Sequence, residues 1–185
     1  MTTQAEFDTA VVTAIALAAE LDASAVVWGN SGNPIAPVWV RLFVTADRDV
    51  TEPLQDRTYN EETHTFALTL SVMREFTVQV RCETLANEGA SSALALSGAI
   101  RLALRQQNVV AALAAQGIVC EGPINGSSDV SFDSGEFRIA ARTFDILLRA
   151  VLSKADPDPL GTIDSIGLSA TVENPDIVFP EESIP

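Results

Sequence analysis

Residues 66–82 read FALTLSVMREFTVQVRC, and this stretch decides the fold of the chain. Its even-numbered positions are apolar, with Arg74 as the exception, while most of its odd-numbered positions are polar. Such alternation predicts a half-buried β-strand. Seventeen residues at about 3.3 Å each would span roughly 56 Å, well beyond a usual strand. The stretch therefore either turns near residues 73–75 or projects beyond the domain as a ribbon. No glycine or proline marks a turn, so the sequence leaves both open.

The residues before this stretch predict one helix and two short strands. Thr3 and Glu6 have the spacing of a capping box, and apolar residues then recur at helical spacing: Phe7, Val11, Ile15, Ala18 and Leu21. Residues 25–28 and 38–44 follow as strands on either side of a glycine- and proline-containing loop. Trp28 and Trp39 flank that loop and are expected to anchor it on the core. The polar, acidic residues 45–55 are expected to form a mobile surface loop.

The residues after this stretch predict two helices and three strands. Residues 87–105 form the longer helix, and Asn108 caps a shorter one, 109–116, which ends at Gly117. A short strand at 118–120 and a loop at 121–135 follow. Residues 136–152 predict another long strand, whose polar positions change phase near Arg142 and Thr143, as a β-bulge there would allow. That strand pairs as an antiparallel hairpin with residues 166–172.

The order of these elements predicts an α+β fold in which helices cover one face of a largely antiparallel sheet. Residues 1–173 are expected to form a single domain, followed by an acidic C-terminal tail at 174–185. The predicted domain has enough apolar residues for a sizeable core, since 47% of the chain is hydrophobic.

The charge of the chain excludes several classes of function. It has 25 acidic and 11 basic residues and a net charge of −14, with Lys154 as the single lysine. A nucleic-acid reader needs clustered basic residues, so this class is excluded. The negative charge lies at the two ends, −7 in residues 1–66 and −7 in residues 155–185, around a neutral centre. Neither a membrane span nor a signal peptide is visible, which predicts a protein made in the cytoplasm.

The residues that could carry catalysis are few. His64 is the one histidine, and it is expected to be a surface or capping residue rather than a base. Phosphate-binding, nucleophile and zinc motifs are absent from the sequence. Three acidic groups lack the spacing of a metal site and are expected to be solvated: Asp47, Asp49 and Glu52; Glu61 and Glu62; Asp129, Asp133 and Glu136. Cys82 and Cys120 are expected to be reduced and buried. We therefore predict no enzyme, cofactor or metal.

Four arginines are candidates for a subunit interface. Arg101 and Arg105 lie one turn apart on the second predicted helix, and Arg138 and Arg142 lie on the late long strand. Two like charges one turn apart repel slightly, so a carboxylate on another element or subunit is a plausible partner. An exposed helical face is the favoured interpretation of the helical pair.

Seven segments resemble, in the same order, the neck or tail terminator (tail-completion) proteins of bacteriophages. They cover most of residues 5–173, and their order carries more information than any one of them. The segments are VVWGN (26–30), REFTVQVRC (74–82), IRLALR (100–105), VAALAAQGIV (110–119), GPI (122–124), RIAARTFDI (138–146) and GTIDSI (161–166).

This resemblance implies a structural virion protein without catalytic residues. Members of the family assemble, usually as a six-membered ring, on the head-proximal end of the tail tube. There the ring stops tube polymerisation and docks the head connector, and DNA passes through its lumen without specific binding. The expected partners are thus a second copy, the tail-tube protein and the head connector, with assembly in the host cytoplasm. The alternatives are another head–tail joining protein of the same fold and, more remotely, a small metal-dependent hydrolase that uses His64 or an acidic cluster.

Overall fold

The computed structural model describes residues 2–29, 37–62, 65–85, 90–134 and 137–155. Within them it has three α-helices, α1 (Gln4–Ala19), α2 (Ala90–Ala103) and α3 (Gln107–Ala114). A 3-10 turn at Ala23–Ala25 follows α1. The strands are β1 (Val26–Trp28), β2 (Val38–Asp49), β3 (Leu54–Asn60), β4 (Thr65–Leu85), β5 (Ile118–Pro123), β6 (Ser128–Asp129), β7 (Phe132–Ser134) and β8 (Phe137–Ala155).

All eight strands belong to one mixed sheet, with the order β1-β2-β4-β8-β5. β1 and β2 are parallel, and every other described pair is antiparallel. β3 continues along β4 beyond the end of β2, and β6 and β7 pair with β8. The predicted α+β class with a largely antiparallel sheet is confirmed.

Residues 66–82 belong to one continuous strand, β4. β4 has 21 residues and pairs without interruption with β8 from Thr69, opposite Ala155, to Leu85, opposite Ile139. On its other edge it pairs first with β3 and then with β2. The break between those two strands is short, because the Val50 N–H donates to the Met73 carbonyl over 2.8 Å. The ribbon interpretation is thus the one that the structure supports.

The first helix begins where its capping box predicts. The Thr3 side chain accepts a hydrogen bond from the Glu6 N–H, and the Glu6 carboxylate accepts one from the Thr3 N–H over 2.8 Å. The apolar stripe of α1 is buried, and the Phe7 ring packs on Phe76 of β4 with 4.5 Å between ring centroids. Thr2 bridges to Leu152 of β8. The start of α1 is therefore fixed to the centre of the sheet.

The core lies between the three helices and one face of the sheet. Even-numbered positions of β4 and β8 supply the sheet side of this core: Phe76, Val78, Val80 and Cys82, with Phe144, Ile146, Leu148 and Ala150. The helices supply the opposite side, including Ile15, Ile100 and Leu113. Trp28 packs against this core as predicted, whereas Trp39 is buried on the other face of the sheet, where its indole bonds to Glu83. Most of the loop between them lies outside the described residues.

Residues 45–55 are a correction, because they are largely strand and not a mobile loop. β2 extends to Asp49, and β3 begins at Leu54. Residues 44–59 are exposed. A strand with both faces in water needs no apolar alternation, so the polar composition of this segment does not distinguish a strand from a loop. Arg74 of β4 forms ion pairs with Asp47 and, over 3.1 Å, with Asp49, which holds this end of β2 in place.

The predicted bulge near Arg142 and Thr143 is also wrong. β8 keeps one register with β4 across these residues. Both faces of β8 are covered at this end, since Ile139, Ala140 and Ala141 are all buried, so its apolar residues need not stay on one side. Within the described ladders, register shifts occur instead between Val44 and Ala46 and between Cys120 and Gly122.

Three smaller boundaries differ from the prediction. Asn108 does not cap α3, because the helix begins at Gln107 with Gln106 as its N-cap. α2 ends at Ala103, before the predicted Arg105. The predicted loop 121–135 contains the end of β5 together with β6 and β7. The first residues of the predicted helix 87–105, the strand 166–172 and the domain boundary at 173 lie outside the described residues.

Candidate functional site

The end of the long hairpin extends beyond the body of the sheet. We call β3 and the facing residues 65–71 of β4 the β-arm. The described part of β8 reaches Ala155 opposite Thr69, so among the described residues 57–60 and 65–68 pair with each other alone. A two-stranded ribbon is marginally stable by itself in water. The β-arm therefore gains stability from any surface that covers it.

The β-arm exposes apolar side chains that its own helices do not reach. Leu54 is 68% exposed, Tyr59 45% and Leu70 38%. α1 begins only at Gln4, and between its first turn and the base of the β-arm lies a groove of about 660 Å³ lined by Ala5, Leu70 and other residues. The apolar alternation of β4 thus continues past the edge of the helical layer.

A second uncovered apolar surface lies on the outer side of α2. Leu94 and Leu102 are 50% and 68% exposed, and Gly98 lies between them with open space around its Cα. Spacings of four residues place the three on one line of the helix, and Arg105 lies in the turn that directly follows α2. We call Leu94, Gly98 and Leu102 the α2 stripe.

The four predicted interface arginines lie in different surroundings. Arg101 is half-buried, donates from Nη2 to the Asn125 carbonyl over 3.3 Å, and lies 6.0 Å from the ring centroid of Phe144. Arg105 is exposed and has no ion pair among the described residues. Of this helical pair, Arg105 is therefore the one available to a carboxylate of another molecule.

The two arginines of β8 lie beside the short edge strands. Arg142 forms a 3.2 Å ion pair with Asp129 of β6, and the exposed Arg138 is opposite Asp133 of β7 in the strand register. Asp129 also accepts hydrogen bonds from the backbone and side chain of Ser131, and these bonds lower the pKa of its carboxyl. This pair is thus engaged within its own chain, and an interface role for all four arginines remains a prediction.

The sheet face away from the helices carries a buried carboxylate that the sequence did not single out. Glu83 is 2% exposed, and its carboxylate accepts hydrogen bonds from Trp39 Nε1 and, over 3.1 Å, from Arg41 Nε. The Nε of Arg81 lies 2.7 Å from the second carboxylate oxygen. Two arginines and an indole thus compensate the burial of one negative charge.

A second carboxylate on that face joins three strands. Glu75 accepts hydrogen bonds from Arg149 over 2.8 Å and from Arg48 over 2.7 Å. The hydrogen bond from Arg149 is the main cause of a lowered pKa for the Glu75 carboxyl. Arg149 also pairs with Glu121 of β5 over 2.5 Å. Charges on this face are therefore largely paired across strands, which indicates a structural role.

The described residues contain no group of three His, Cys, Asp or Glu side chains that could hold a metal ion, and His64 and Glu136 lie outside them. Both cysteines are free thiols, Cys82 buried and Cys120 half-buried. Burial raises the pKa of Cys82 to about 12 and also raises the pKa of Cys120. No helix in the described parts of the chain is long and apolar enough to cross a membrane.

In a comparison with known proteins, no protein-family model matches the chain, and no curated protein matches it significantly.

The candidate site is therefore a pair of interaction surfaces, the β-arm and the α2 stripe. Sequence reasoning singled out Arg105 and the ribbon but missed the exposed Leu54, Tyr59 and Leu102. For Leu54 and Tyr59 the available signal was a large apolar or aromatic residue inside an otherwise polar, acidic segment, which fits neither a solvated loop nor a core strand.

Proposed function

We propose that this chain is a structural subunit of a bacteriophage tail, of the tail-terminator type, which assembles with copies of itself into a ring on the end of the tail tube. The β-arm is the observation that carries the proposal. Tyr59 and Leu70 continue the apolar face of β4 into solvent, where none of the described helices covers them. The sequence resemblance supplies the identity of the assembly.

A ring of identical subunits needs two different surfaces on each subunit that fit each other. An extended arm on one side of the domain and an apolar stripe on a helix supply two such surfaces. Apolar patches of this kind on a protein surface mark sites of protein association. On the opposite sheet face, ion pairs neutralise most of the charged side chains. The described residues of that face therefore form no large exposed patch of one charge.

The acidic composition of the chain supports the passage of DNA through such a ring. Residues 45–53, which precede the β-arm, contain three acidic residues and one arginine and are exposed. Negative side chains that face a lumen repel the phosphates of DNA and prevent the duplex from sticking. Lysines, which would bind phosphate, are limited to Lys154.

The proposal is tested by assembly of the purified full chain. Native mass spectrometry and negative-stain images are expected to show a closed ring at micromolar concentration, alone or on tubes formed by the cognate tail-tube protein. Added during tube polymerisation, the chain is expected to shorten the tubes in proportion to its concentration. A chain that stays monomeric and leaves tube length unchanged would overturn the proposal.

Position in the assembled particle separates the tail terminator from another head–tail joining protein. Antibody or gold labelling of particles is expected to place the chain at the junction of tube and head connector, in contact with the tube. A label restricted to the connector, together with rings that do not bind tubes, would identify a joining protein of the same fold instead.

A further inference from the structure

The β-arm and the α2 stripe are both apolar, have similar lengths and lie in segments of opposite charge. We infer that, in the ring, the β-arm of one copy lies along the α2 stripe of the next copy, with the tip of the arm at Arg105. This inference rests on the proposed ring and names the contact that closes it. The partner is thus a second copy of this chain.

The apolar residues of both surfaces favour this contact. Tyr59, opposite Phe66 in the strand register, and Leu70 lie on one face of the β-arm, while Leu94 and Leu102 project from α2. Burial of a large apolar side chain contributes about 1.5–3 kcal/mol relative to exposure. Gly98 between the two leucines leaves room for a close approach of a strand backbone, because nothing lies within 4 Å of the position of a Cβ there.

The lengths of the two elements agree. The seven residues of β3 extend over about 23 Å at a rise of about 3.3 Å per residue. The 14 residues of α2 extend over about 21 Å at about 1.5 Å per residue. A hairpin laid along the helix therefore covers the whole α2 stripe, and its turn at Glu61 and Glu62 reaches the end that carries Arg105.

The charges of the two surfaces are opposite. Residues 50–71 contain four acidic residues and one arginine, whereas residues 89–120 contain Arg101 and Arg105 and no acidic residue. Glu61, Glu62 and Arg105 are all exposed. The α2–α3 segment is thus the cationic part of a strongly acidic chain, and it attracts an acidic arm in the correct orientation.

Two charge-reversal variants test this pairing. The first variant is Arg105→Glu, and the second carries Glu61→Lys together with Glu62→Lys. In a ring built from either variant alone, every arm-to-α2 contact brings like charges together. Each variant alone is expected to weaken assembly by about tenfold or more, since an exposed pair contributes up to about 1 kcal/mol and reversal also adds repulsion.

The mixture of the two variants gives the decisive result. In a ring that alternates the two, each native arm meets a native α2 stripe, and each lysine-bearing arm meets the glutamate that Arg105→Glu introduces. We therefore expect equimolar mixing to restore rings that native mass spectrometry resolves as alternating heteromers. Glu20→Lys, which reverses an exposed carboxylate at the C-terminal end of α1 while the arm lies beside the first turn of that helix, is the matched control and is expected to assemble like the wild type.

The apolar half of the contact has its own pair of variants. Leu102→Ser is expected to weaken assembly by about tenfold, while Val119→Ser, at a β5 side chain 59% exposed, leaves it unchanged. Circular dichroism is expected to show the same thermal unfolding for both monomers, since both side chains are exposed.

The outcomes separate this inference from the proposed function. If the wild type forms rings and either charge variant assembles equally well, the arm-to-α2 contact is refuted and the ring stands. Variants that fail alone and also fail together contradict the pairing of these two surfaces. If the wild type forms no ring under any condition, the proposed function and the inference fail together.

Discussion

Replacement of Glu83 by glutamine is expected to destabilise the protein by about 3 kcal/mol. Glutamine has the same shape, so packing is kept and the change isolates the charge. Loss of one partner of a buried ion pair costs about 3–5 kcal/mol. Arg41 and Arg81 are 13% and 26% exposed, so water relieves part of their repulsion and the lower end of that range applies. For a domain of this size the melting temperature is expected to fall by about 6–12 °C.

The two tryptophans provide the assay, because Trp39 bonds directly to Glu83. Urea unfolding followed by tryptophan fluorescence and by circular dichroism gives the free energy of unfolding, at one protein concentration, since assembly adds stability by mass action. Glu121→Gln is the matched control. Glu121 is 40% exposed in its ion pair with Arg149, so its loss is expected to cost less than about 1 kcal/mol. A Glu83→Gln protein within about 1 kcal/mol of wild type would refute the argument, since that is the size of an exposed pair.

Three further predictions concern the core, the pH dependence and the thiols. Phe7→Ala is expected to cost about 3–5 kcal/mol in urea unfolding, because it leaves a cavity against Phe76; a loss below about 1 kcal/mol would contradict the packing of α1. The pKa of Glu75 lies below its ordinary 4.5, so its ion pairs stabilise the protein above that pH and are lost as the pH falls through the lower value. Glu75→Gln is therefore expected to flatten the fall in melting temperature as the pH drops below about 4.5, and an unchanged slope would exclude that role. A thiol reagent at about pH 8 is expected to modify Cys120 before the more deeply buried Cys82, and equal rates in the native protein would refute this order.

Much of the fold could be predicted because its strongest signals are local. The hydroxyl of Thr3 and the carboxylate of Glu6 satisfy free N–H groups of their own helix, so sequence spacing is sufficient to locate the start of α1. The alternation in residues 66–82 likewise depends on one strand and one buried face. These elements can be predicted without knowing which segments of the chain pack against each other.

The errors arose where pairing with distant residues decides the structure. The strand at 45–49 depends on Arg74, more than twenty residues away, and its polar side chains give no periodic signal. The phase change in β8 has no bulge because other segments cover both of its faces near Ala141. Glu83 is buried through contacts with Trp39 and two arginines, which spacing along the chain does not reveal.

The candidate surfaces were predictable only in part. Charge and the spacing in the predicted helix indicated Arg105 as an interface residue, and the length of residues 66–82 indicated a projecting ribbon. Exposure of Leu102 and Tyr59 depends on where the helical layer ends, and this is set by the tertiary arrangement of α1 and α2.

The continuity of β4 gives the β-arm a mechanical link to the centre of the protein. Backbone hydrogen bonds in an antiparallel pair run perpendicular to the strands. A force that pulls the arm along the axis of β4 therefore loads its bonds to β8 and β2 in shear, so that many must break at once. A hinge between arm and body would instead concentrate the load on a few bonds. A subunit held by its arm can thus bear tension along that strand while its core stays folded.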